Sequence, residues 1–250
     1  MTSQAEPDLT EDRLLGGRIR FQQPRRGYRV AIDPILLAAS VTVADDDRVL
    51  DAGTGTAAAA LCLASRLRSC HVIGLERDPE LLAIGRYNIA GNALTDRVEL
   101  LEGDLLDPPA GLRATSFDVV MTNPPYHPCA TVSAPATPTR RAAHLANVDL
   151  PAWIAACLAR LRPLGRLFMI HPPDRLDTIL GALAGSAGDV VVLPLWPRVD
   201  ASAAKRVIIR ARKGGRGPVR LARGLVLHEP DGRYTSATEA ILRDGAPLPL

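Results

Sequence analysis

The sequence predicts an α/β chain: a doubly wound, mostly parallel seven-stranded sheet with an antiparallel edge strand and a small N-terminal hairpin and helix. Three observations predict it. From residue 48 onward, short β-branched runs alternate with longer Ala- and Leu-rich segments, the pattern of βαβ units whose parallel strands are covered on both faces. Gly53-Thr-Gly55 lies where the first of these strands passes into the first long helix. The last two β-rich runs have no helical segment between them, which calls for an antiparallel pair at one edge.

Taken in order, residues 1–12 are polar and acidic and read as a flexible tail. Residues 13–47 form an N-terminal extension. Within it, Arg18 to Gln23 alternates like a short strand, Pro24 to Gly27 makes a basic turn, and Asp33 to Val43 is a helix with Asp33 as N-cap and Pro34 in its first turn. The main domain spans 48–217. Its strands are Arg48–Asp51, His71–Leu75 ending at Glu76, Val98–Leu101, Phe117–Met121, Arg166–Ile170, Val190–Leu195 and Arg206–Ala211. Between them lie helices over Ala57–Arg68, Pro79 to about Ala90 behind the Asp78 cap, Asp149 to Arg162, and Asp174–Ala184. Residues 218–250 add a C-terminal strand and helix packing on the same domain. Pro128 to Arg141 is the one long irregular stretch and is expected to be a mobile loop beside the site.

Composition narrows the classes. The 250 residues are 47% hydrophobic and 23% charged, too apolar for a disordered chain and long enough for one substantial core. No apolar run approaches the ~18 residues of a membrane span, and the acidic start is no signal peptide, so a cytoplasmic protein is expected. Cys62, Cys70, Cys129 and Cys157 lack disulfide or zinc spacing, so no metal site is predicted. Only Lys205 and Lys213 among the 30 basic residues are lysines, yet the net charge is just +3, so composition alone leaves the partner open.

The chemistry lies at strand ends, where a doubly wound sheet binds its ligands. Asp51-Ala-Gly53-Thr-Gly55-Thr56 follows the first strand, and its glycines permit a tight turn and close approach of a ligand. Asp51 is a poor neighbour for a pyrophosphate and suits a ligand bearing an ammonium. Glu76, at the tip of the second strand, can accept both hydroxyls of a ribose. Asp104 ends the third strand and can accept from an adenine amine. Three strand-end acids around one adenosine describe S-adenosylmethionine better than a nicotinamide dinucleotide.

Asn123-Pro124-Pro125-Tyr126 ends the fourth strand. The Asn123 amide oxygen and the Pro124 carbonyl are two acceptors that can hold both hydrogens of a planar –NH2 group. Tyr126 can stack on the ring that carries it. Such a site works by positioning and electrostatics and requires no strong base. A base within folded nucleic acid must be splayed out to reach it.

These motifs in this order resemble a Rossmann-like class I S-adenosylmethionine-dependent methyltransferase of the amino-methylating kind; the third glycine usual in the cofactor loop is Thr56 here. Leu15-Gly-Gly-Arg-Ile-Arg-Phe-Gln-Gln, Gly27-Tyr-Arg-Val-Ala-Ile-Asp33-Pro-Ile-Leu-Leu and Gly224-Leu-Val-Leu-His-Glu-Pro-Asp-Gly-Arg-Tyr234 narrow this to similarity with the bacterial tRNA1(Val) adenine N6-methyltransferase family, from about residue 13 to the end. The resemblance implies transfer of a methyl group to the N6 amine of a tRNA adenine near the anticodon. It further implies that Asp33 lines the methionine end of the cofactor, alongside Asp51, Gly53, Gly55, Glu76, Asp104 and Asn123, and that Asn123, Pro124 and Tyr126 hold the adenine.

A protein glutamine N5-methyltransferase is the alternative, since a side-chain amide is also a planar –NH2 carrier; against it, only about 47 residues precede the first sheet strand. Another RNA amino-methyltransferase, such as an rRNA guanine N2 enzyme, fits the same tetrapeptide. No segment is long enough for the target-reading domain of a DNA adenine enzyme, so tRNA and not DNA is the expected partner, with no membrane. Arg25-Arg26, Arg140-Arg141, Lys205-Arg206 and Arg210 to Arg216 are candidate phosphate contacts, His127 a candidate substrate contact, and Trp153 and Trp196 are expected to pack in the core or at a sheet edge.

Overall fold

In a computed structural model, residues 8–25, 29–125 and 149–250 are described. The chain opens with an antiparallel hairpin, β1 (Leu9–Leu14) and β2 (Ile19–Pro24), paired from Leu9–Pro24 to Leu14–Ile19. Residues 9–12 are therefore strand, where a tail was expected. The reason is that β1 has no apolar alternation to read: pairing and surface ion pairs hold it, among them Arg20 with Glu11 and Arg29 with Asp12. Only β2 shows an inward face, with Ile19 and Phe21 buried, and a fully buried Phe contributes roughly 1.5–3 kcal/mol.

The outer edge of β2 is satisfied by side chains. Asn88 accepts from the Gln22 N–H at 2.7 Å and donates to the Gln22 carbonyl at 2.9 Å, and Asn92 treats Arg20 the same way at 2.9 and 2.7 Å. Asn88 also donates to the carbonyl of Thr56 at 3.1 Å. Both asparagines belong to one helix face, so two amides an (i, i+4) step apart occupy the polar groups of an edge strand and tie the hairpin to the glycine turn.

Helix α1 (Asp33–Ser40) follows. Its N-cap residue is Ile32, not Asp33: the Ile35 and Leu36 N–H groups donate to the Ile32 carbonyl, both at 3.0 Å, and the Asp33 carboxylate accepts from Arg206. It ends at Ser40, short of Val43: the Ser40 hydroxyl bonds back to the Leu37 carbonyl at 2.7 Å, and Arg66 donates to the carbonyls of Ala38 and Val41.

The remaining strands are β3 (Arg48–Ala52), β4 (His71–Glu76), β5 (Val98–Glu102), β6 (Phe117–Thr122), β7 (Leu161–His171), β8 (Ala187–Arg198), β9 (Arg206–Lys213), β10 (Arg220–Leu221) and β11 (Leu225–His228). The helices are α2 (Ala58–Arg66), α3 (Pro79–Gly91), α4 (Ala110–Arg113), α5 (Leu150–Arg160), α6 (Leu176–Leu183) and α7 (Ser236–Asp244). The sheet order is β10-β8-β9-β7-β6-β3-β4-β5, with β11 also on β8. Two details differ from expectation. Among the described residues the sheet has nine strands, because β10 and β11 extend it beyond β8. The antiparallel strand, β9, is also not at the edge but lies between β7 and β8, paired antiparallel to both.

Helices α1, α2, α3 and α7 and the hairpin cover one face around Phe21, Leu36, Leu61 and Phe168. Helices α5 and α6 cover the other around Phe117, Ile154 and Met169. Asp78 and Asp149 cap α3 and α5, as their sequence positions predict. The predicted start at Asp174 is a 3-10 turn, Pro173–Arg175, and the α-helix begins at Leu176. This winding brings the tips of β4, β3, β6 and β7 to one end of the sheet. No described helix is long and apolar enough to cross a membrane.

Candidate active site

The turn after β3 is built for close approach. Gly53 and Gly55 have φ of +74° and +58°, a region that favours glycine. A Cβ on Gly53 would lie 3.1 Å from the Trp153 ring, so a larger residue would meet both a disfavoured φ and a tight contact to which the indole must yield. The N–H groups of Gly53 and Thr54 both donate to the Leu75 carbonyl, at 2.9 and 3.0 Å, and the Gly55 N–H donates to Glu76 Oε2 at 2.9 Å. The loop is thus fastened to the tip of β4. Even Ala57, which precedes α2, takes a φ of +70°, a strained value for a residue with a Cβ.

Asp51 is 2% exposed and accepts from the Thr54 hydroxyl at 2.6 Å. Burial pushes its carboxyl up to about 7, against the pull of the Thr54 hydroxyl and the Ala60 N–H and with the help of the Glu76 charge. Glu76 is raised too, mainly by burial, although the N–H groups of Asp78, Gly55 and Arg77 oppose this. Two acids that resist ionisation beside a glycine turn suit a ligand carrying positive charge. The β5 tip joins them, since the Gly103 N–H donates to the Glu76 carbonyl at 3.0 Å. Asp104 stands there with one oxygen on the Leu106 N–H at 2.9 Å and the other 3.6 Å from Arg77.

The reaction motif adjoins this turn because β6 pairs with β3, Ala52 opposite Thr122. Thr122 donates its hydroxyl to the Ala52 carbonyl at 2.8 Å and accepts from the Trp153 indole at 3.0 Å. One residue further on, Asn123 Oδ1 is buried with no hydrogen-bond partner among the described residues. Leaving such an acceptor unmatched costs roughly 1–3 kcal/mol, a cost that a ligand N–H would relieve. Pro124 is buried beside it. Tyr126 and His127, the Pro128–Arg141 stretch, Arg26 and Gly27 lie outside the described residues.

Asp51, Gly53, Gly55, Glu76, Asp104 and Asn123 therefore gather at the tips of four neighbouring strands. Asp33 is on α1, and its carboxylate is 2.7 Å from Arg206 at the start of β9. Beside Arg206 is His171, at the end of β7 and held below the usual imidazole range chiefly by burial. Trp153 was not anticipated here. It is more than core packing, since it touches Gly53 and bonds Thr122 at once. The available signal was its place in the first turn of a helix behind the Asp149 cap, because a crossover helix starts at the end of the sheet where the strand tips lie.

The methyltransferase domain family matches residues 44–173. A relative from Aeromonas salmonicida, named tRNA1(Val) (adenine(37)-N6)-methyltransferase, is 31% identical over 221 residues, covering 87% of this chain and 90% of its own. The chain belongs to this family. A relative of the same name from Porphyromonas gingivalis is 33% identical over 170 residues, covering 65% of this chain and 66% of its own. Among solved structures, one described as a predicted O-methyltransferase, protein Atu636 from Agrobacterium tumefaciens, has a TM-score of 0.72 at 26% identity and covers 87% of this chain and 99% of that one. A SAM-dependent O-methyltransferase from Thermotoga maritima has a TM-score of 0.55 at 19% identity, covering 77% of this chain and 68% of that one, and shares the fold. The protein is an S-adenosylmethionine-dependent methyltransferase, and the glycine turn and its buried acids suit that cofactor's cationic, ribose-bearing shape.

Proposed function

We propose that this methyltransferase modifies the N6 amine of an adenine in tRNA, near the anticodon. The observation that carries the reading is the buried Oδ1 of Asn123, without a partner among the described residues and one residue beyond a strand that is hydrogen-bonded to the strand leading into the cofactor turn. An acceptor in that position selects a hydrogen-bearing nitrogen over a ring nitrogen or a carbon. The names carried by relatives matching 87% of the chain support tRNA as the source of that nitrogen.

In this reading Glu76 accepts from the ribose hydroxyls, Asp51 faces the amino group of the methionine moiety, and Asp104 faces the adenine amine of the cofactor. Asp33, braced by Arg206, walls the methionine end from the β7 side. S-adenosylmethionine supplies a methyl carbon already activated by its positively charged sulfur. Asn123 and the Pro124 carbonyl accept both N–H bonds of the target amine, which directs the nitrogen lone pair toward the turn, and Tyr126 stacks on the splayed base. Transfer would leave S-adenosylhomocysteine as the leaving group, and the nitrogen, acidic once alkylated, would give up one proton to water, so no residue has to act as a strong base. The protein is expected to work on tRNA in the cytoplasm.

The test is incubation of the purified protein with labelled S-adenosylmethionine and unmodified tRNA, followed by nucleoside mass spectrometry. N6-methyladenosine is the expected product. Methylated glutamine in a protein acceptor, with unlabelled tRNA, would replace this reading by the amide one.

A further inference from the structure

The positive charge of the chain is concentrated in one place. Between Ala201 and His228 lie eight Lys or Arg residues and no Asp or Glu, a contribution of +8. The chain totals +3, so the rest of the molecule sums to −5. That segment is β9, β10, β11 and their connections, on one flank of the sheet.

Strand register arranges four of these charges, Arg206, Arg210, Arg212 and Arg220, into a stripe. Arg210 of β9 and Arg220 of β10 are both opposite Val191 of the intervening β8, so they point to the same face, about 10 Å apart. On the same face Arg212 is opposite Arg166 of β7. The crowding shows in Arg210, whose guanidinium is pushed below its usual range by burial and then by the charges of Arg220 and Arg166. Acids answer part of the stripe: Asp33 pairs with Arg206, Asp47 with Arg166, and Asp189 lies 3.8 Å from Arg212. Arg216, Arg220 and Arg223 are exposed and make no ion pair among the described residues. Beside Arg223 the half-exposed Trp196 donates its indole N–H to the Arg223 carbonyl at 3.2 Å.

The stripe leads to the reaction motif. Arg206 precedes Val207, which pairs with His171 at the tip of β7, and β7 adjoins β6. Asn123 is thus two strand spacings, about 10 Å, to the side of where the stripe begins. From Arg206 to Arg212 the charges continue along the strand for about 20 Å, longer than a nucleotide and suited to a run of backbone phosphates.

We propose that the β9–β11 flank, through Arg216, Arg220 and Arg223 and the row behind them, is the surface on which the phosphate backbone of the substrate tRNA docks. The inference rests on tRNA being the substrate. Phosphate contacts set register and orientation and leave the choice of base to the site.

The experiment compares two triple variants of the full chain in filter binding of an unmodified tRNA transcript, between 50 and 200 mM salt. Arg216→Ser/Arg220→Ser/Arg223→Ser is expected to weaken tRNA binding about tenfold or more and to lower the slope of log K against log salt by about two to three. Cofactor affinity and the thermal midpoint, measured alongside, should match the parent and exclude misfolding. Arg13→Ser/Arg68→Ser/Arg86→Ser removes the same charge from exposed positions on the hairpin, in the connection after α2, and on α3, and should shift tRNA affinity by no more than about twofold. Equal losses in both variants, or no loss in the first, overturn the assignment. Competition by duplex DNA as effective as by tRNA overturns it in favour of a general polyanion surface. A parent protein that neither binds nor methylates the transcript removes the tRNA reading itself, whereas a parent that methylates while the first variant binds normally removes only the docking surface.

Discussion

At the scale of single residues the site holds two energetically costly groups, and each is a prediction. Asn123 Oδ1 is buried and unmatched among the described residues. Asn123→Ala should lower kcat about 100-fold or more while the Kd of the cofactor product changes less than about threefold, because the lost contact is to the target amine. Steady-state kinetics with isothermal titration checks this, and a parallel loss of cofactor binding would show that the amide serves the cofactor. Asp51 is the other, with its carboxyl near 7. Because this value exceeds that of the unfolded chain, the native state holds the extra proton between about pH 4 and 7, so the Asp51 contribution to stability is fully present below about pH 4 and is lost as pH rises through 7. The ligand-free protein should show this decline in melting scans between pH 5.5 and 8.5, and Asp51→Asn should flatten it. A parent and variant with parallel profiles would assign the dependence to other groups.

At the scale of elements, the connection between cofactor turn and reaction motif, made directly by the pairing of β3 with β6, is reinforced by a helix that contributes no acid or amide to either. The first turn of α5 carries Trp153, whose ring closes on Gly53 and whose indole bonds Thr122, the residue before Asn123. It is a positioning residue. Trp153→Phe keeps a ring over Gly53 and removes the hydrogen bond, which is worth about 1 kcal/mol. It should lower kcat about fivefold with cofactor affinity little changed, whereas Trp153→Ala should also weaken cofactor binding about tenfold. Unaltered kcat in the Phe variant would mean that Thr122 is held by Ala52 alone. The hairpin acts similarly from the opposite side, through Asn88, which bonds both Gln22 and the carbonyl of Thr56 in the turn.

At the scale of the whole molecule, the crevice is formed by tips of strands that the sheet holds at one end, while the helix layers on the two faces keep separate cores. A ligand spanning β4, β3 and β6 therefore adds contacts across the tips of strands that the sheet already pairs. S-adenosylhomocysteine at 100 times its Kd should stabilise the chain by about 2.7 kcal/mol and raise its melting temperature by about 5–10 °C. Differential scanning calorimetry reads this directly, and no rise would mean that the turn does not bind the nucleoside. The charge distribution belongs to the same scale: a chain of +3 presents one strongly basic flank because the opposing acids lie elsewhere.

The sequence by itself determined the α/β class, the alternation of elements from residue 48, the turn at Gly53 and Gly55, and the strand-tip acids Asp51, Glu76 and Asp104. It did so because these signals are local: β-branched runs, helix caps at Asp78 and Asp149, and glycines at a strand-to-helix turn depend only on neighbours in the chain. Only the tertiary structure decided that β9 inserts between β7 and β8, that residues 9–14 form a strand, that Asp33 pairs with Arg206, and that Trp153 closes on Gly53 a hundred residues earlier. Each of these depends on which distant segments come together, and polar strands such as β1 or a lone aromatic in a helix carry no periodic mark of the partner they will meet.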